Sequence, residues 1–293
     1  LQVTGEEQSG VMQSSETRMG AVLSGSCGDY DFHVHSRYSP DASPALSAMA
    51  DAAHRAGLVG MAFTEHIEWL PGDEACGYLE PQRYYTELVS LRGRYDEELQ
   101  ILAGLELGNP HDFVTEARAL LDAAPWDYVL GSLHWPEGLP GWEPVAFEEG
   151  LEIAYRRYFR ELVTLAEEGA YDVLAHFDLV RRDSWGVCRQ VLPIQPYESF
   201  IRAALTAVVE RGKGLEINTS ALAAGLDEPC PGLTILRWYR ELGGEILVFG
   251  SDAHHPEDLA QCFDRARSLA LEAGFDQLAR FERRRVVEWL PLI

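Results

Sequence analysis

From Asp29 onward, short apolar runs alternate with longer segments in which apolar positions recur every three or four residues. Short apolar runs mark strands and a period near 3.6 marks helices, so the alternation predicts βαβ units around a parallel sheet. Seven strands are predicted, at Tyr30–Val34, Val59–Thr64, Leu99–Leu105, Tyr128–Leu133, Val173–His176, Gly214–Asn218 and Ile246–Gly250. Helices are predicted at about 44–56, 81–97, 112–122, 146–168, 197–211, 232–242 and 256–273. Gly57, Gly169, Gly212 and Gly243 stand where a helix-ending glycine would. No low-complexity linker and no repeat interrupts the series, so one closed α/β barrel over residues 29–293 fits better than two domains; an open doubly wound sheet is the alternative. Residues 1–28, rich in Ser, Gly, Gln and Glu, read as a flexible tail.

Composition then removes several classes of function. The chain has 293 residues, with 24 Lys and Arg against 47 Asp and Glu, a formal charge of −23. Such a field repels phosphate backbones and anionic lipid, which argues against nucleic-acid or membrane partners. Cys27, Cys76, Cys188, Cys230 and Cys262 are scattered, odd in number and never spaced C-x-x-C, so neither a disulfide framework nor a thiolate zinc site is expected. A reducing, cytoplasmic setting follows. Neither of the two commonest nucleotide-phosphate loops, G-x-G-x-x-G or G-x-x-x-x-G-K-S/T, is present.

In a (β/α) barrel, chemistry sits at the carboxyl ends of the strands. The predicted ends here read His33-Val34-His35, Thr64-Glu65-His66, Gly104-Leu105-Glu106, Ser132-Leu133-His134, His176 and Ser251-Asp252-Ala253-His254. A single histidine at a strand end is most often a hydrogen-bonded structural residue, but independent histidines would not recur in order at successive ends. Side chains alternate along a strand, so His33 and His35 share a side and can grip one ion. With carboxylates from other strands, this nitrogen-and-oxygen donor set suits divalent zinc, iron or manganese.

The segments DFHVHSRYSPDAS, GMAFTEH, GLELG, YVLGSLHW, VLAHFDLVRR, LEINTSAL and FGSDAHHPEDL together resemble the polymerase and histidinol phosphatase superfamily, from about Asp29 to Phe275. The last four look most like its stand-alone histidinol phosphatases of histidine biosynthesis. The resemblance implies a distorted (β/α)7 TIM-like barrel with a trinuclear metal centre, holding two to three divalent ions. It implies one ion on His33, His35, Glu106 and Asp252, with Glu106 bridging to a second on His134 and His176. A third would take Asp41, His66 and His254. It further implies a phosphomonoesterase acting on L-histidinol phosphate, with Asp252 or His254 passing a proton to the leaving oxygen. The alternatives are a phosphoesterase for another small phosphorylated metabolite or nucleotide, and a non-catalytic or scaffold module; the complete ligand set counts against the last.

Further candidates are weaker. Glu65 is expected to orient an imidazole, and His111, Arg181 and Arg182 to meet substrate, the two arginines through planar forks suited to phosphate. His54 and His255 read as structural or solvent-facing, Asn218 as a polar lining residue, and Trp126, Trp135, Trp142, Trp185 and Trp238 as packing.

Overall fold

In a computed structural model of the chain, the structure describes residues 29–95 and 98–292. The predicted tail over residues 1–28 lies outside them. Seven parallel strands, β1 (Tyr30–Val34), β2 (Gly60–Ile67), β3 (Gln100–Gly108), β4 (Tyr128–Ser132), β5 (Val173–Leu174), β6 (Gly214–Asn218) and β7 (Leu247–Gly250), lie side by side in chain order. The first and last meet through a bridge between Val34 and Ala253, with the Asp252 amide donating to the His33 carbonyl (2.9 Å) and the His35 amide to that of Ala253 (2.9 Å). The result is a nearly closed (β/α)7 barrel.

Helices α1 (Leu46–Ala56), α2 (Pro81–Tyr95), α3 (Val114–Ala123), α4 (Leu151–Glu168), α5 (Val180–Cys188), α6 (Glu198–Glu210), α7 (Ser220–Ala223), α8 (Leu233–Glu241) and α9 (Phe263–Ala273) accompany the sheet. Odd-numbered strand positions such as Met61, Phe63, Ile101, Leu215, Ile217, Leu247 and Phe249 pack with Leu88, Phe159, Leu205, Ile235 and Leu269 of the helices in one continuous core. Among the described residues no helix is long and apolar enough to cross a membrane.

A second, smaller core fills the barrel itself. Tyr30, Phe32, Ala62, Leu102, Tyr128, Leu130, Val173, Ala175 and Val248 close on Ala279 and Phe281. These last two belong to an antiparallel hairpin, β8 (Gln277–Glu282) and β9 (Arg285–Pro291), that the sequence pattern did not predict. It plugs the amino-terminal end of the barrel. Arg284 donates both fork nitrogens to Asp172 (3.0 and 3.0 Å) and its amide to the Asp127 carbonyl (2.8 Å), tying the hairpin turn to the starts of β4 and β5.

Most boundaries depart from the predicted ones by a few residues, and three departures matter. Strands β2 and β3 run past Thr64 and Leu105, so His66 and Glu106 sit inside the ladder as register partners rather than beyond it. Helices α5 and α7 occupy segments read as loops. The last predicted helix, 256–273, is a short 3-10 turn at Pro256–Asp258 followed by α9.

Candidate metal centre

Three steps along β1, from Asp31 to Val34, match two along β2, from Met61 to Phe63. This one-residue bulge turns consecutive side chains inward, Phe32 into the apolar barrel core and His33 into the polar layer above it. Beneath the loop after β7, the buried Asp31 carboxylate accepts from the Ser251 amide (2.9 Å) and hydroxyl (2.5 Å) and from the Ala260 amide (2.9 Å). That clamp fixes the segment carrying Asp252 and His254. Close approach matters as well: a Cβ on Gly250 would lie 1.9 Å from Glu216 Oε1, and one on Gly108 2.0 Å from Glu68 Oε1. Only glycine leaves these carboxylates room.

Each of three imidazoles is held by an acceptor at Nδ1. His33 donates to Glu216 Oε1 (2.7 Å) and His134 to Glu68 Oε1 (2.5 Å). The Ser39 hydroxyl spends its one proton on Glu65 Oε2 (2.7 Å), so at His35 Nδ1 (3.1 Å) it can only accept. All three rings therefore keep a proton on Nδ1 and turn Nε2 inward, its lone pair available to a cation in place of a second proton.

Those lone pairs converge on Glu106 and Asp252. His33 Nε2 is 3.3 Å from Glu106 Oε2 and 3.6 Å from Asp252 Oδ1; His35 Nε2 is 3.6 and 3.3 Å from the same atoms. The other Glu106 oxygen lies 3.3 Å from His134 Nε2 and 2.9 Å from His176 Nε2. Glu106 Oε2 also meets His66 Nδ1 at 2.8 Å, and Asp41 Oδ2 stands 3.4 Å from His66 Nε2 and 3.0 Å from His254 Nε2. With metal–ligand bonds near 2.1 Å, two donors on one tetrahedral or octahedral ion stand about 3.0–3.4 Å apart, close to most of these spacings. His33 Nε2, His35 Nε2 and Glu106 Oε2 are buried yet make no hydrogen bond. A buried polar atom left so is costly unless something else meets it, and a divalent cation among these donors would. The residues fit such a group.

The electrostatics agree. Burial opposes ionisation of Glu106, yet His33, His66 and His134 hold it well below the usual carboxylate range. Burial likewise opposes protonation of His134, and Glu106 and Glu68 override it, holding the ring at about 10. His35, buried beside His254 and His66, is pushed down to about 3. Two site residues sit in left-handed backbone, His176 (φ 23) and Asp252 (φ 58), strain that is stored where it aims functional side chains.

A cavity of about 650 Å³ opens onto this cluster, lined among others by Asp41, His66, Glu106, His134, His176, Asp252 and His254. Arg182 also lines it, donating to Asp252 Oδ2 (2.7 Å) and Ser220 Oγ (2.6 Å). Arg181 does not: it is drawn to Asp178 (3.0 Å) and Glu228 (3.6 Å), because adjacent helical residues point about 100° apart. His111 is likewise placed outside the cavity lining, buried against Glu161 (3.2 Å). Glu65 reaches an imidazole through Ser39 and not directly. Trp135 and Trp142 line the cavity instead of the core, whereas Trp126 is buried; His54 and His255 are exposed and Asn218 is buried against Glu216. Glu216, Glu68, Ser39 and Asp31 join the site without having been expected from the sequence. The signal for Glu216 was its parity, since Gly214, Glu216 and Asn218 face the barrel interior, where a lone charge must have a partner.

A seven-stranded (β/α) barrel whose carboxyl-end mouth gathers six imidazoles around buried carboxylates has the donor set of a metal-binding barrel protein. The PHP domain family matches residues 31–220, and the chain belongs to that family. It is 27% identical over 255 residues to the histidinol-phosphatase of Lactococcus lactis, covering 86% of this chain and 93% of that one. A Clostridium acetobutylicum relative bearing the name probable histidinol-phosphatase is 27% identical over 244 residues, 82% of this chain and 92% of the relative. A crystal structure of the Lactococcus lactis histidinol phosphate phosphatase, complexed with zinc, L-histidinol and phosphate, superposes with a TM-score of 0.78 at 24% identity, covering 89% of this chain and 99% of that one.

Proposed function

We propose that this chain is a metal-dependent histidinol-phosphatase, converting L-histidinol phosphate and water to L-histidinol and phosphate. The observation that carries the reading is Glu106, a fully buried carboxylate ringed by imidazoles from four strands at the floor of an open cavity. Two to three zinc, iron or manganese ions would be held there. His33, His35, Glu106 and Asp252 form one donor set, Glu106, His134 and His176 a second, and Asp41, His66 and His254 a third. Divalent cations supply positive charge against the phosphoryl oxygens and make water acidic enough to attack near neutral pH.

The remaining work falls to the protein. Glu216, Glu68 and Ser39 keep three imidazoles in the tautomer and orientation that leave Nε2 free. Arg182 presents its guanidinium to the cavity as a partner for a phosphoryl oxygen, and Asp252 and His254 line the same space as donors of a proton to the leaving oxygen. The names of the relatives support the substrate, and an acidic chain favours a phosphate that carries a protonated amine.

Phosphate release from metal-loaded protein against a panel of phosphomonoesters tests this. Histidinol phosphate should have the highest kcat/KM, with p-nitrophenyl phosphate slower and equally metal-dependent. A sugar phosphate or nucleotide with the higher value would overturn the substrate and leave the phosphomonoesterase standing; no turnover of any ester would overturn both.

A further inference from the structure

The cavity wall outside the histidine cluster carries five carboxylates, Glu68, Asp73, Glu74, Glu143 and Asp183. Four are accounted for. Glu68 holds His134, Asp73 accepts from Trp135 Nε1 (2.8 Å) and the Ala75 amide (2.8 Å), and Glu74 and Glu143 stand exposed at the rim. Asp183, in the first turn of α5, differs from all of them: it is 8% exposed, and its carboxylate makes no hydrogen bond to any described residue. The nearest cation is Arg182, whose Nε lies 4.0 Å away, beyond hydrogen-bond reach. Gly141 packs so tightly against it that a Cβ there would come within 2.7 Å of Asp183 Oδ2, so the backbone opposite leaves room for this group and no more.

A buried carboxylate without a partner is expensive to keep, and one that faces a ligand cavity is satisfied by a cation from the ligand. The neighbouring residue specifies which cation. Arg182 and Asp183 set a positive and a negative group side by side on the cavity wall, and a phosphorylated amino alcohol presents the mirror of that pair, its ammonium on the carbon next to the ester methylene. Resting on the histidinol-phosphate reading above, we infer that Asp183 is the residue that selects the substrate's amine, pairing with its ammonium while Arg182 faces the phosphate. Metals and Arg182 hold the phosphate of any ester alike; discrimination among esters then comes from Asp183.

The experiment compares kcat/KM for histidinol phosphate with kcat/KM for its deamino analogue, 3-(imidazol-4-yl)propyl phosphate, in the metal-loaded wild type, Asp183→Asn and Asp183→Ser. Because the ratio is taken within one preparation, the fraction of folded enzyme cancels. The wild-type ratio should favour the amine, and both variants should lower it by about 10- to 100-fold, chiefly through KM for the amine substrate. A wild-type preference that survives both substitutions would overturn this inference and leave the function intact. A wild type that turns over phosphomonoesters but ignores the amine would overturn the histidinol-phosphate reading, and this inference with it.

Discussion

Replacing Glu216 by Gln isolates what the buried acceptors contribute. The carboxylate takes three donors: His33 Nδ1 at 2.7 Å, the His176 amide at 2.8 Å and Asn218 Nδ2 at 3.2 Å. A glutamine keeps the shape but turns one oxygen into an NH2, and a donor then faces a donor whichever way the amide is set. With NH2 toward His176, a buried backbone N–H is stranded at a cost of about 1–3 kcal/mol. With NH2 toward His33, the ring escapes by moving its proton to Nε2, which costs a neutral imidazole little. The second arrangement is therefore the one expected. It places a hydrogen on the nitrogen that faces Glu106 and Asp252, where a cation must be met. Metal affinity should fall about 10- to 100-fold, equivalent to about 1.4–2.7 kcal/mol, while the metal-free variant, in which the buried His33–Glu216 pair is also broken, loses up to about 3–5 kcal/mol of stability. Chelator competition for zinc or manganese reads the first quantity and denaturant unfolding the second. Affinity within threefold of wild type would refute the reasoning.

Three other outcomes are expected. Glu106→Gln should lower kcat by several orders of magnitude without unfolding the barrel, whose apolar core lies below the site; near-wild-type turnover would remove Glu106 from its bridging place. Phe281→Ala, which empties the hairpin plug against Tyr128 (ring centroids 5.2 Å apart), should cost about 3–5 kcal/mol in denaturant unfolding, and a loss under about 1 kcal/mol would mean the hairpin merely rests on the barrel. Burial pushes Asp183 up to about 6 against the pull of Arg182 and His134, with Asp252 adding to the rise. The group is charged above that value and neutral below it, so the kcat/KM ratio of histidinol phosphate to its deamino analogue should fall as pH drops through about 6, in wild type and not in Asp183→Asn. A pH-independent wild-type ratio would contradict this.

The candidate site was legible in the sequence because a barrel repeats one instruction: six of the seven strands deliver an imidazole or carboxylate toward their carboxyl ends, so His33, His35, His66, Glu106, His134, His176, Asp252 and His254 could be read in order. Distinguishing Arg182 from Arg181 needed the helix, α5, that separates their directions, and its Asp, Ser and Gly make a weak helical signal. The hairpin plug was missed because its turn is built by Arg283 (φ 48) and Arg284 (φ 63), left-handed positions where Asn-Gly or Asp-Gly is the usual sign. The β1 bulge left no mark, since Phe32 and His33 read as ordinary alternation. Glu216 looks like a surface charge until its strand assigns it to the barrel interior, and Glu68 until the end of β2 sets it against His134.

Turnover by this chain should depend on ions held by this donor set. Protein stripped by chelator, with its metal content verified by elemental analysis, should release no phosphate from histidinol phosphate. Titration with manganese or zinc should restore activity with a break at two to three equivalents per chain, and Glu106→Gln should show no such break. Full turnover by the stripped protein would contradict the central claim.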